Sequence, residues 1–214
     1  MKGKKLTSIV AALAASALMV GTTMAYLTDY DTAANEFTIG SVKVDLEEPD
    51  WNPEEHPSVE PGQEVKKNPY IENTGENSFY GYLSVSVPVE KVVLASPDGK
   101  RMEAAETPLF TYTALEGWTL VDSWQKDGMK TEVYAYDQIL KKGEKSTELF
   151  KTVKLVNLVE GQLDGKKCEI PVKAYAIQSE GTGDGKETVP EQAKAAFQKY
   201  INQNADTEGK VIGK

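Results

Sequence analysis

Apolar and polar side chains alternate with a period of two between Phe37 and Ala176, and this pattern constrains the fold more than any other feature. Successive side chains of a strand point to opposite faces, so the alternation predicts strands with one buried face. In the clearest stretch, 79–89, five apolar residues share one face: Phe79, Leu83, Val85, Val87 and Val89. Tyrosines and serines share the other face: Tyr80, Tyr82, Ser84 and Ser86.

The whole pattern predicts about nine short strands. They lie at 37–46, 64–71, 79–89, 92–95, 109–113, 118–124, 131–136, 148–158 and 167–178. Turn signals such as Asp127-Gly128 separate them, since glycine accepts the positive φ of tight connections. We therefore expect an all-β fold, a jelly-roll-like β-sandwich with one C-terminal amphipathic helix. The alternation changes phase at Gly40-Ser41, which predicts a β-bulge there.

The C-terminal part has a different pattern. Residues 181–185 are glycine-rich and predict a linker, and Thr188-x-x-Glu191 is the signature of a capping box. Apolar residues then follow at helical spacing: Ala193, Ala196, Phe197, Tyr200 and Ile201. This spacing predicts a helix at about 190–202, packed on either an edge or a face of the sandwich. The unit 181–214 would end in a mobile tail.

The first 25 residues have the three parts of a secretory signal peptide. A basic start precedes an uncharged apolar run, 6–20, and Thr23-Met24-Ala25 offers small residues for cleavage between Ala25 and Tyr26. The apolar run is shorter than the roughly 20 residues of a spanning helix, so we expect no membrane association after cleavage. The mature chain would then be secreted, with the sandwich at 26–180 and a proline-rich acidic surface loop at 47–62.

The charge of the chain argues against anionic partners. The net charge is −9, and the leader carries three lysines and no acid, so cleavage would take it to −12. A surface of this sign repels nucleic acid and anionic lipid. We therefore expect neither as a partner.

Residues suited to catalysis are scarce. His56 is the only histidine, so neither a His-Glu-x-x-His zinc site nor a Ser-His-Asp triad can be built in the usual way. Cys168 is the only cysteine, and its position predicts a small buried side chain on the face of Ile170 and Val172. We assign no catalytic, cofactor or metal residue and expect a non-enzyme. Calcium on the acidic residues of the loop remains the alternative cofactor.

Several aromatic residues fall on predicted strands. They are Tyr80, Tyr82, Tyr112, Trp118, Trp124, Tyr134 and Tyr136. Such residues can form a sugar-binding platform, but cross-strand packing is their commoner use in sheets. A surface adhesin or glycan-binding module therefore stays open as an alternative function.

Motifs along nearly the whole chain resemble the TasA/camelysin family of secreted proteins of Gram-positive bacteria. The first ones are Gly21-Thr22-Thr23-Met24-Ala25-Tyr26-Leu27-Thr28-Asp29, Asn35-x-Phe37-Thr38-x-Gly40-x-Val42-x-Val44-x-Leu46, and Glu48-Pro49-x-Trp51. Later ones are Asn73-Thr74-Gly75-x-Asn77-x-x-Tyr80, Leu149-Phe150-x-x-Val153 and Ala174-Tyr175-Ala176-Ile177-Gln178. The resemblance implies a jelly-roll subunit of extracellular biofilm-matrix fibres, cut by a signal peptidase of the SipW type. Some relatives carry a metalloendopeptidase label, which is the other alternative.

The resemblance also implies how such subunits join. The segment 26–46 would be the donor, completing a sheet of the next copy by β-augmentation. Its polymerisation residues would be Tyr26, Leu27, Phe37, Ile39, Val42, Val44 and Leu46. The expected partners are other copies of the chain in a head-to-tail homopolymer, the signal peptidase, and other matrix proteins or an anchor protein. Whether the chain is a major subunit, a minor subunit or a monomeric relative stays open.

Overall fold

The computed structural model describes residues 28–31, 42–50, 58–181 and 187–204. The predicted leader, the Gly40-Ser41 bulge, the C-terminal tail and most of the linker lie outside these ranges. Among the described residues, no helix combines the length and the apolar character that crossing a bilayer requires.

The described residues form eleven strands and one C-terminal helix. The strands are β1 Thr28–Asp31, β2 Val44–Glu47, β3 Glu64–Lys66, β4 Tyr70–Asn73, β5 Phe79–Val92, β6 Ala105–Pro108, β7 Phe110–Thr111, β8 Trp118–Lys126, β9 Met129–Leu140, β10 Thr152–Leu155 and β11 Val172–Gln178. The helix, α1, is Val189–Asn204. The predicted fold class is confirmed: the chain is an all-β sandwich of antiparallel sheets with a helix at its C-terminal end.

The first layer is a six-stranded sheet in the order β1-β11-β5-β9-β8, and β6 extends it beside the end of β5. A two-residue turn joins β8 to β9, because Lys126 pairs with Met129. Asp127 and Gly128 both have positive φ, 51° and 73°, as the type I′ hairpin turn requires. The Asp-Gly turn signal is therefore confirmed at this position.

The second layer is made of two shorter sheets, β2-β4 and β3-β10-β7. The predicted strand 64–71 is divided here into β3 and β4, because Pro69 has no N–H for the ladder. The side chains beside Pro69 face other partners: the Lys67 Nζ lies 2.8 Å from the Glu48 Oε1, and the Asn68 Nδ2 donates to Glu148. Hydrogen bonds from the backbone of 149–155 to Pro69 and Gln63 continue the layer across the break.

The main core lies between the two layers, and Gly81 sits at its closest contact. A Cβ atom on Gly81 would lie 2.2 Å from the Ile71 Cδ1, which reaches across from β4. Ile71 is fully buried, so it has little room to move away. The two layers pack closely at this point only because residue 81 has no side chain.

We expect Gly81→Ala to destabilise the fold by about 1–3 kcal/mol, since one added methyl group overpacks a closed core. Chemical denaturation of the mature chain measures this change. Ile71→Val removes the Cδ1 atom and serves as the matched variant. The double variant should lose less unfolding free energy than the two single variants lose together. Losses that simply add up would contradict the contact.

The helix α1 covers the outer face of the first layer, and the predicted helix 190–202 is confirmed with one residue more at its start and two at its end. The ring of Phe197 lies 5.3 Å from that of Tyr82. Tyr80 donates a hydrogen bond to Gln192, and Tyr82 donates one to the carbonyl of Ala193. The helix therefore packs on a face of the sheet, which the sequence had left open. At its start, the Thr188 N–H donates to Glu191, as in a capping box.

We expect Phe197→Ala to lower the free energy of unfolding by about 3–5 kcal/mol, because it removes a fully buried ring from the helix–sheet contact. Lys194→Ala, on the exposed face of the same helix, is the control and should change little. Thermal and denaturant unfolding of both variants provide the measurement. If the two variants had the same free energy of unfolding, the contact of Phe197 with the sheet would not be what holds the helix.

The strand predicted at 167–178 begins only at Val172, because Pro171 cannot donate to the ladder. Cys168 therefore does not share a strand face with Ile170 and Val172, as the alternation had suggested. It is half-buried against a small apolar cluster, separate from the main core, that contains Val92, Leu109, Leu155 and Leu158. Burial raises the pKa of its thiol, as expected for an unreactive cysteine.

Candidate assembly edge

The predicted polymerisation residues that the structure describes lie in or beside β2. Val42 and Val44 are only 2% and 1% exposed, and Leu46 packs half-buried on the same core. Tyr26, Leu27, Phe37, Ile39 and the cleavage residue Ala25 lie outside the described residues. The strand-exchange prediction therefore stays a prediction for the set as a whole.

Strand β2 is built firmly into its own chain. It pairs along its length with β4, with Val44 opposite Asn73 and Leu46 opposite Ile71. The Thr74 N–H also donates to the carbonyl of Lys43. Removal of this strand would open the main core, so it forms the fixed end of the predicted donor segment.

Strand β1 is held in a different way. It pairs antiparallel with β11, with Thr28 opposite Ile177 and Asp31 opposite Ala174. Among the strands that the structure describes, β1 forms the outer edge of the six-stranded sheet and is paired only with β11. Residues 28–31 of the predicted donor segment are therefore paired with the chain's own β11.

Strand β11 is the strand with which β1 pairs. It is paired with β5 over all seven of its residues. Ala174 and Ala176 are fully buried in the core between the layers, whereas Tyr175 and Ile177 pack on the helix side of the sheet. Without β1, this regular strand would present its backbone N–H and C=O groups along an open edge.

The opposite edge of the sheet, β8, is irregular. The register of β8 against β9 shifts between Leu120 and Asp122, which is a β-bulge. A bulge twists an edge away from incoming strands, and a charged residue beside it adds to the protection. The two edges of this sheet therefore differ: β8 is poorly suited to strand addition, and β11 is well suited to it.

Within the described ranges, no group of three or more His, Cys, Asp or Glu side chains is placed to hold a metal ion. His56 and the acidic residues Glu54 and Glu55 lie in the part of the loop that the structure does not describe. The expectation that the chain needs no cofactor therefore stays a prediction.

The carboxylate of Glu132 joins the two layers. One of its oxygens accepts hydrogen bonds from Tyr112 at 2.7 Å and from Tyr134 at 3.1 Å, and the Lys130 Nζ lies 2.6 Å from the other. Tyr112 belongs to the second layer, where its ring stacks 4.6 Å from that of Phe150. Glu132 is thus paired with neighbouring side chains of its own chain, and none of these groups faces an open cleft. We therefore interpret the cluster as structural.

The pKa values of this cluster follow from its geometry. Partial burial pushes the pKa of Glu132 upward, but hydrogen bonds from Lys130 and the two tyrosines outweigh it and hold the pKa below its ordinary value. Burial is also the main cause that raises the pKa of Tyr134 to about 12, and it raises the pKa of Tyr112. The ionised carboxylate is the form that this structure stabilises.

A carboxylate whose pKa is depressed in the fold stabilises the protein above its unfolded pKa of about 4.3 and stops doing so as the pH falls through its folded pKa. We expect Glu132→Gln to cost about 1–2 kcal/mol at pH 7, discounted for solvent screening, and less at acid pH. Denaturation curves between pH 3 and pH 7 test this. Glu116→Gln, on an exposed loop, is the control. A cost that does not change with pH would contradict the assignment.

The strand aromatics do not form a platform on the surface. Five of them are buried: Tyr80, Tyr82, Trp118, Tyr134 and Tyr136. Trp118 also donates its indole N–H to the carbonyl of Thr147, and Trp124 packs half-buried against the helix cluster. Cross-strand packing is thus the better interpretation of these residues.

The sequence did not predict that the donor segment 26–46 contains two strands with different roles, β2 fixed in the core and β1 at a sheet edge. Alternation predicts that both parts are strands, but it does not tell which strand each one pairs with.

Comparison with known proteins finds one family model that matches part of the chain. The family model described as camelysin metallo-endopeptidase matches residues 1–92. The matched span ends with β5 and therefore includes β1, β2 and the proline-rich loop. No curated protein and no solved structure matches the chain. This partial match supports the resemblance found in the sequence motifs.

Proposed function

We propose that this chain, whose residues 1–92 match the camelysin family model, is a secreted structural subunit that forms extracellular matrix fibres by exchange of β1 between copies. The observation that carries the proposal is the position of β1 at a sheet edge, beside a regular strand and at the N-terminal end of the chain. A peptidase of the SipW type would cut between Ala25 and Tyr26 and release this end outside the cell.

The size of β1 makes it suited to exchange. It has four residues, and one intramolecular hydrogen bond contributes only about 0.5–1.5 kcal/mol net. Strand β2, in contrast, is tied to the buried core by Val42 and Val44. The segment 32–43 connects the two, so β1 can leave while the rest of the subunit stays folded.

Exchange would replace each pairing by an equivalent one. When β1 of one copy pairs with β11 of the next, the register seen within one chain is formed again between two chains. Each subunit then has one strand to donate and one edge that accepts. Such a head-to-tail contact does not close on itself unless its rotation happens to close a ring, and it therefore builds a filament.

A disulfide lock tests the exchange directly. Tyr30 lies opposite Tyr175, and paired residues of an antiparallel ladder have Cα atoms about 4.5–5.5 Å apart, within reach of a disulfide. We expect the mature chain with Tyr30→Cys, Tyr175→Cys and Cys168→Ser to stay monomeric when oxidised and to form filaments when reduced. Electron microscopy and sedimentation measure both states. Filaments formed by the oxidised monomer would rule out exchange of β1.

Two single-cysteine chains provide the complementary test. In the Cys168→Ser background, a chain with Tyr30→Cys is mixed with a chain with Tyr175→Cys and then oxidised after assembly. Exchange predicts a covalent heterodimer, and each chain alone should give none beyond the background of random collisions. Deletion of 26–35 should abolish both the filaments and the cross-link.

A secreted metallopeptidase is the second candidate, because the matching family model carries that description. It requires a bound metal near one equivalent per chain and cleavage of a protein substrate that a chelator stops. The measurement is metal analysis of the purified mature chain together with a casein-type assay. His56→Ala is the informative variant, since it removes the sole histidine. The same metal analysis would detect calcium.

A further inference from the structure

We propose that Lys67 and Glu48 set the boundary of strand exchange: they keep β2 in its own subunit, so that only β1 passes to a neighbouring copy. This inference rests on the proposed function. Strands β1 and β2 have four residues each, and each pairs with an antiparallel neighbour over its full length. Strand length alone therefore does not determine which of the two stays in its own chain.

The ladder between β2 and β4 ends at Pro69. Glu47 pairs with Tyr70, and the residue that precedes Tyr70 is a proline, which has no N–H to donate. Beyond this point, side chains take over from the backbone. The Lys67 Nζ lies 2.8 Å from one carboxylate oxygen of Glu48 and donates to the other at 2.9 Å. The ion pair thus extends the attachment of β2 past the end of its ladder.

Asn68 extends the same attachment to the other sheet of the second layer. Its Oδ1 accepts a hydrogen bond from the Asp50 N–H at 3.0 Å, and its Nδ2 donates to Glu148 at 2.8 Å. The Lys67 N–H donates to the carbonyl of Lys151, directly before β10. The chain that follows β2 is therefore connected both to the segment before β4 and to the segment before β10.

Burial makes this ion pair costly to separate. Lys67 is only 5% exposed, and the side chain of Glu48 is 20% exposed. If β2 left its sheet, Glu48 would leave with it, and the buried ammonium would lose this carboxylate. Breaking a buried pair costs far more than breaking an exposed one, because a desolvated charge loses its counter-charge. Detachment of β2 is therefore much rarer than detachment of β1.

Hydrogen exchange of the mature chain at low concentration, followed by mass spectrometry, tests the attachment of β2 without any assembly. Glu48→Gln keeps the shape of the side chain and removes its charge. The matched control is Glu76→Gln, which makes the same change in an exposed ion pair with Lys142. We expect peptides that contain 44–47 and 70–73 to exchange about tenfold faster in Glu48→Gln, with the control unchanged. Equal exchange in Glu48→Gln and the wild-type chain would overturn the inference, even if filaments form.

A cross-link tests the boundary itself and does not depend on how well Glu48→Gln folds. Asp45 lies opposite Glu72 in the ladder, within reach of a disulfide. In the Cys168→Ser background, a chain with Asp45→Cys is mixed with a chain with Glu72→Cys and oxidised after assembly. With the ion pair intact, we expect no heterodimer beyond the background of random collisions, and a heterodimer there would overturn the inference. With Glu48→Gln in both chains, a heterodimer should form, and its absence would also count against the boundary.

The inference and the proposed function fail in different ways. Faster exchange of 44–47 in Glu48→Gln, in a chain that gives neither filaments nor the cross-link between residues 30 and 175, would support the attachment of β2 and reject the proposed function. Filaments that carry both cross-links while the ion pair is intact would support strand exchange and reject the boundary.

Discussion

Burial of both faces of β5 is the constraint on which the rest of this structure depends. One face contacts the second layer, where Gly81 admits the side chain of Ile71, and the other contacts the helix α1 through Tyr80 and Tyr82. A central strand covered on both sides needs two layers and a separate cover. The helix α1 is therefore needed to cover the sheet. Strand β1, at the edge of the same sheet, does not pair with β5 directly.

The elements that sequence could predict are those whose signal is local. The alternation at 79–89 predicts β5 and assigns its residues to the correct faces, and the capping box with its apolar spacing predicts α1. The break between β3 and β4 was not predicted, although Pro69 within the predicted strand 64–71 is a local signal for it; the partners Glu48 and Glu148, which lie far away in sequence, could not be predicted. The contact of Gly81 with Ile71 could not be predicted either, because it depends on how the two layers pack together.

The candidate site shows the same division. Sequence reasoning indicated the segment 26–46 as the part that matters for assembly, and the structure finds two strands within it that have different partners. Strand β2 is fixed because it pairs with β4, and β1 lies at an edge because it pairs with β11. The alternation of apolar and polar residues predicts strands but does not tell which strands pair. Likewise, the link between the layers at Glu132 needs Tyr112, which follows β7 in the other layer, so no spacing in the sequence could reveal it.

The short connection between β1 and β2 has a geometric consequence for any filament. Twelve residues, 32–43, separate the last residue of β1 from the first of β2. A fully extended chain spans at most about 3.3–3.6 Å per residue, so this tether reaches roughly 40 Å. If β1 exchanges as proposed, the end of β1 on the accepting subunit can therefore lie no farther from the start of β2 in its own subunit than this reach, which limits where neighbouring copies can stand.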